Sequence, residues 1–160
     1  AYCMEQATER CKMYCGEKNQ IYSAMSEELA RMYNAAGRRE ESLACHLAVR
    51  NQLLKNGYRE GSILLMVDNN MSVVYLDLGR PEEAIPYLTE ALELAKENGL
   101  VGPAVAEPTW NLARVYRALG DEEKEDIYLK AAVEGFRECY PPEHPKRIAA
   151  EQRLKERQGE

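Results

Sequence analysis

An all-α solenoid of antiparallel helix pairs is the fold class this sequence predicts, on three observations. A Tyr-x3-Gly mark occurs at 33–37, 75–79 and 116–120, so its glycines stand 42 and 41 residues apart. Between the marks, apolar residues recur at three- and four-residue steps, as in Ile85, Leu88, Ala91, Leu92 and Ala95, which places them on one helix face. Two intervening stretches, 37–57 and 79–99, align without a gap and share six of 21 positions, in the order Gly, Arg, Glu, Glu, Asn, Gly. A period of this length marks stacked supersecondary units, each burying its apolar face against the next.

Taken in order, residues 1–16 read as the second helix of an incomplete repeat, because Met4 and Ala7 lie two periods before Leu88 and Ala91. Repeat 1 covers 21–57, with a first helix over Tyr22–Ala36 and a second that ends at Asn56-Gly57. Repeat 2 covers 58–99, with helices over Ser62–Leu78 and Glu82–Glu97, and repeat 3 covers 103–140, opening with Val105–Leu119. Each glycine stands where a left-handed residue can end a helix without steric cost. Pro81 falls in a first turn, where its missing N–H does little harm, whereas Pro86 lies a turn deeper and should cost more unless that helix starts late. Residues 146–158 form a terminal first helix or a cap, since Leu154 takes the place of Leu112. About seven helices result, with a half-repeat at each end, and the chain is expected to be a segment of a longer protein.

Composition narrows the function. The 160 residues carry 21 Lys and Arg against 27 Asp and Glu, a formal net charge of −6, with no basic block, which argues against nucleic acid. The longest apolar run, Ile63–Val67, is far short of a bilayer span, and the first 15 residues lack the layout of a signal peptide. Five cysteines, an odd number, make a poor disulfide framework and point to reduced thiols in the cytoplasm. Cys3, Cys11 and Cys15 share a helix face, and a zinc site needs four thiolate or imidazole ligands. Only two histidines exist, His46 and His144, and although Cys45-His46 could lie close, small apolar thiols filling the packing seam are the simpler reading, so no metal is expected. No catalytic constellation and no phosphate-cradling glycine loop is present; neither an enzyme nor a cofactor is expected.

Asn-Leu-Ala-x-x-Tyr-x-x-Leu-Gly at 111–120, its counterpart Asn-Met-Ser-x-x-Tyr-x-x-Leu-Gly at 70–79, Glu82-Glu83-Ala84, and the small residues Ala91 and Ala132 together resemble the tetratricopeptide repeat family. The long period and His144-Pro145 resemble its kinesin-light-chain-type variant. The likeness is strong over 62–135 and weaker over 22–57, where Glu28 stands for the family's Asn and Ser42 for its Ala. In repeat 3, Lys124-Glu125 departs from the Glu-Ala pattern, which should loosen that helix contact. The resemblance implies a right-handed superhelix whose concave groove, lined by first helices, binds short peptide segments.

That geometry would turn Asn69, Asn70, Val73 and Asp77 toward the groove beside Trp110, Asn111, Arg114 and Arg117, with Arg153 one period beyond Asn111. Amides that both donate and accept would grip a peptide backbone, the three arginines would hold carboxylates, and Trp110 would supply an apolar wall. The competing reading makes Asn70 and Asn111 braces between repeats and pairs the arginines with acids such as Glu107. A non-catalytic peptide-binding scaffold is therefore expected, its partner an extended and acidic segment. The alternatives are a sensing segment of a larger bacterial regulator and a module that self-associates end to end through its half-repeats.

Overall fold

The Tyr-x3-Gly marks are helix-ending motifs. In the computed structural model, which describes residues 2–16, 20–57 and 62–159, Gly37, Gly79 and Gly120 have φ of 75°, 70° and 74°. The N–H after each glycine returns to the tyrosine carbonyl (Arg38 to Tyr33, 2.9 Å; Arg80 to Tyr75, 2.9 Å; Asp121 to Tyr116, 3.0 Å). The glycine N–H bonds the carbonyl of the residue after the tyrosine, which completes the pattern and satisfies the last carbonyls of the helix. A cation follows each motif and covers the ring: Arg38 over Tyr33, Arg80 over Tyr75 and Lys124 over Tyr116, at 4.3, 5.3 and 4.9 Å.

Eight helices make up the described residues, with no strand among them: α1 (Tyr2–Cys15), α2 (Gln20–Ala35), α3 (Arg39–Lys55), α4 (Ser62–Asp77), α5 (Pro81–Glu97), α6 (Pro103–Leu119), α7 (Glu122–Cys139) and α8 (Pro145–Gln158). This is one more than the seven expected, because three pairs and a single helix at each end make eight. Each helix packs on its neighbours in the chain, and α4 also touches α6 directly, as stacked pairs require.

The α5 helix starts at Pro81 and runs unbroken through Pro86, whose ring is exposed, so no late start spares the helix this deeper proline. The missing donor leaves only the Glu82 carbonyl without its helix bond. Pro108 occupies the same step of α6, but buried.

Leu64, Val67, Met71, Val74, Leu88, Ala91, Leu94, Leu112 and Val115 form one continuous core through α4, α5 and α6, extended into α3 by Leu43, Val49 and Leu53. A second cluster, Ala106, Ala113, Leu129, Val133, Phe136 and Ala150, joins α6, α7 and α8. At Gly135 an added Cβ would lie 3.0 Å from the Ala106 Cβ, so α7 approaches α6 closely enough that a side chain there would force the helices to give by a few tenths of an ångström. The expected loosening at Glu125 is absent. Its carboxylate is buried where Ala84 stands in the previous repeat, and Arg153 of α8 grips it with two N–H groups, at 2.7 and 3.1 Å.

Candidate functional site

Helical spacing puts Asn69, Asn70, Val73 and Asp77 on one side of α4, and Trp110, Asn111, Arg114 and Arg117 on one side of α6. The direct α4–α6 contact brings the two rows together. At their junction the Asn111 Nδ2 donates to Asn69 Oδ1 at 2.8 Å, while Asn111 Oδ1 accepts from an Arg114 Nη at 3.1 Å. Asn111 is only 5% exposed, so its amide is spent within the protein. It is a strut that joins repeats and aims Arg114. Asn70 reaches back in the same manner, from Nδ2 to Glu27 Oε2 on α2 at 3.4 Å.

The arginines differ in what they already hold. Arg153 is committed to Glu125 and also contacts Glu156 at 3.2 Å. Arg117 is exposed, and Arg114 half-buried; neither makes an ion pair among the described residues. Burial pulls the Arg114 guanidinium below its ordinary value, and the charge of Asp77 is what counters it. A desolvated cation with one neutral hydrogen-bond partner is costly, and an anion placed beside it offsets that cost.

A cavity of about 80 Å³ opens at this point, lined by Trp110, Arg114, Arg117 and Arg153 together with Glu125 and Leu129. Trp110 packs edge-on against Phe136, ring centres 6.4 Å apart, so its indole is a fixed wall. Asn69 and Asn70 line a separate cavity of about 220 Å³ with Met66, Pro103, Glu107 and Pro108. Val73 and Asp77 line neither cavity. Asp77 is exposed and accepts from Asn34 Nδ2 at 3.4 Å. The strip is thus two separate places divided by the Asn111 strut.

Glu107 binds none of the arginines. It takes Lys146 Nζ at 2.6 Å, the Tyr140 hydroxyl, and Asn69 Nδ2 at 3.5 Å, which ties the α7–α8 turn to this face. The sequence reading also missed a buried charged seam beneath α2, α3 and α4. His46 is 1% exposed and meets Glu27 Oε1 at 2.9 Å through its Nδ1. Asp68 is 0% exposed and accepts from Arg50 Nε at 2.7 Å, and Arg50 also pairs with Glu90. Register was the available signal: His46 and Arg50 occupy the columns of Leu88 and Leu92, where a polar residue needs a buried partner.

Among the described residues no group of three or more His, Cys, Asp or Glu could hold a metal; the side chains of Cys3 and Cys15 lie outside the described residues. No helix of the described residues is long and apolar enough to cross a membrane.

Residues 63–138 match the tetratricopeptide repeat family model. No curated protein matches the chain. Among solved structures, the nearly identical TPR-like repeats ascribed to kinesin light chain of Podosopora anserina are similar at 23% identity and a TM-score of 0.77, covering 98% of this chain and 76% of that one. A variant of the same repeats gives 23% identity, a TM-score of 0.79 and the same coverage. BtubC (BKLC) from P. vanneervenii is similar at 18% identity and a TM-score of 0.71, over 88% of this chain and 64% of that chain. Residues 63–138 belong to the tetratricopeptide repeat family, and over nearly its whole length the chain has the fold of stacked TPR-like repeats.

Proposed function

We propose that this chain is a non-catalytic scaffold that holds an extended, acidic peptide segment against the α4–α6 face, with Arg114 as the anchor. Repeats of this family in general mediate contacts between proteins. The observation that carries the reading is the state of Arg114: half-buried, aimed by Asn111 Oδ1, and in no ion pair among the described residues, with only the charge of Asp77 to offset its burial. In a chain of net charge −6 with 27 acids available, an arginine left unpaired beside a cavity is poised for an acid from outside. Arg117 adds a second cation and Trp110 an apolar wall, while Arg153 holds Glu125 and so shapes the cavity. Asn69, Asn70, Val73 and Asp77 extend the strip along α4, where Met66 and Pro108 give an apolar side chain a place to rest.

Fluorescence anisotropy with capped extended peptides of equal length, differing only in Glu, Gln or Lys content, tests this. The Glu series should bind best, and Arg114→Ala should weaken it by about tenfold or more, the worth of a charge-assisted contact. Thermal stability should hold in Arg114→Ala and fall in Asn111→Ala, which also removes the strut. Equal binding of the three series would dismiss the site.

End-to-end self-association is a second reading, favoured by one observation: Tyr2, Met13 and Tyr14 on α1 are 72%, 74% and 85% exposed. Light scattering that reports a concentration-dependent mass, lost in Met13→Lys, would support it.

A further inference from the structure

Away from the α4–α6 face, a cleft of about 380 Å³ lies between α1, α2 and α3, within the size range of small-ligand sites. Its lining is acidic and rich in hydroxyls. Glu5 and Glu9 enter from α1 one turn apart, Tyr22, Ser26 and Tyr33 from α2, and Cys45 from α3. Glu5 is already answered by the Tyr33 hydroxyl at 2.6 Å and by Arg38 at 3.3 Å, and Arg38 in turn is shared with Glu41 at 3.1 Å. Glu9, by contrast, is exposed and makes no ion pair among the described residues. Beside it, Thr8 is 6% exposed, lines the same cleft, and has a hydroxyl with no hydrogen-bond partner. Buried hydroxyls are rarely left in that condition. The field in the cleft is negative: burial first, then Glu27 and Glu5, hold the Cys45 thiol above its ordinary value, with only Arg38 opposing.

We infer that this cleft binds an alkylammonium group, with Glu9 as its counter-charge, the Thr8 and Ser26 hydroxyls as acceptors, and the Tyr22 ring beside the cation. An ammonium carries three donors and no acceptor, which suits a carboxylate and hydroxyls set around one point. Its alkyl stem can lie along Leu29 and Ala48, which also line the cleft, and an aromatic face attracts the charge. An anion would be repelled by two carboxylates. A metal ion would want more oxygen and nitrogen ligands than one free carboxylate and hydroxyls supply. The ammonium could belong to a lysine of another protein or to a free amine, and the two are separable by experiment.

Titration of the folded chain with 1,4-diaminobutane and with a capped Gly-Lys-Gly peptide, followed by calorimetry and amide NMR, provides the test. Saturable binding is expected, with shifts centred on Thr8, Glu9 and Ser26, and Glu9→Gln should weaken it by about tenfold. Tighter binding of the peptide identifies a protein lysine as the ligand, and tighter binding of the diamine a free amine. Glu93→Gln removes the same charge from α5 and should leave binding unchanged. Equal losses in the two variants, or no saturable binding by either probe, overturn the inference and leave a bridging water as the partner of Thr8. Arg114→Ala should not affect this titration, so the outcome is independent of the peptide site.

Discussion

The first helix pair and the second share a backbone plan and differ in what fills it. In α4 and α5 the seam is apolar: Leu88 and Ala91 are fully buried, Leu92 is packed beside them, and Tyr75 stacks on Tyr87 with ring centres 5.6 Å apart. In α2 and α3 the matching columns hold His46, Val49, Arg50 and Cys45. The polar members there are satisfied one by one, His46 by Glu27, Arg50 by Asp68 and Glu90, and Ser42 by the Ala30 carbonyl at 2.7 Å. The difference teaches that the repeat fixes helix ends and small-residue contacts, while its interior accepts either oil or paired charge. Paired charge is the more fragile choice, because losing one partner strands the other.

The largest effect should come from stranding Asp68. Arg50→Met leaves its carboxylate buried without a cation, and should cost about 3–5 kcal/mol in urea unfolding at neutral pH. Copying the apolar repeats at both ends of the pair, as Arg50→Leu with Asp68→Thr after Leu92 and Thr109, should cost far less. A double variant as damaged as the single one would mean that the charged seam is itself a net source of stability.

A gentler break of the same seam uses pH. Burial pushes the Asp68 carboxyl, ordinarily near 3.8, up to about 6, against the pull of the Arg50 hydrogen bond and charge. The folded state therefore holds this proton more tightly than the unfolded one. The resulting stability is complete below about 3.8 and is lost as pH rises through about 6. The free energy of unfolding should rise from pH 7 to pH 5 by at most about 1.4 kcal/mol per pH unit, and Asp68→Asn should flatten that window. Carboxylates lowered by arginines, such as Glu83 by Arg80 and Asp126 by Arg157, act in the opposite sense. They weaken the fold only as pH falls below their ordinary values of 4.5 and 3.8.

The regular part of this design was legible in the sequence. Tyr33, Tyr75 and Tyr116 mark helix ends because the motif is local, built from a glycine φ and two backbone hydrogen bonds. The grouping of Trp110, Arg114, Arg117 and Arg153 around one cavity also followed from register. Roles within that group did not. Asn111 and Asn70 are equivalent by spacing, yet one is locked to Asn69 and Arg114 and the other reaches Glu27, since a partner depends on the neighbouring repeat. Arg153 reads as free until Glu125, 28 residues earlier, is seen to be buried against it. Register marks His46 and Arg50 as polar residues in apolar columns, but long-range pairing leaves no periodic trace of their partners Glu27 and Asp68, nor of the α1–α3 cleft.

The smallest change tests the comparison most sharply. Tyr87 and Tyr128 stack on Tyr75 and Tyr116 at 5.6 and 5.4 Å, with their planes within 15° and 7°. One period earlier Cys45 stands opposite Tyr33, so the first pair lacks the second ring. Tyr33 keeps the cation that all three tyrosines carry but sends its hydroxyl to Glu5, and the space beside Cys45 is the proposed alkylammonium cleft. Cys45→Tyr should therefore restore the missing stack and fill the cleft in one step. An aromatic pair contributes about 0.5–1.5 kcal/mol beyond burial, part of it offset here by crowding against α1, so a net gain below about 1 kcal/mol is expected by thermal melting. Diaminobutane binding should vanish in the same variant. If stability rises and the amine still binds, the cation sits elsewhere; if stability falls by more than about 1 kcal/mol, the first pair cannot accept the tyrosine stack, and the thiol is a requirement of α1 docking.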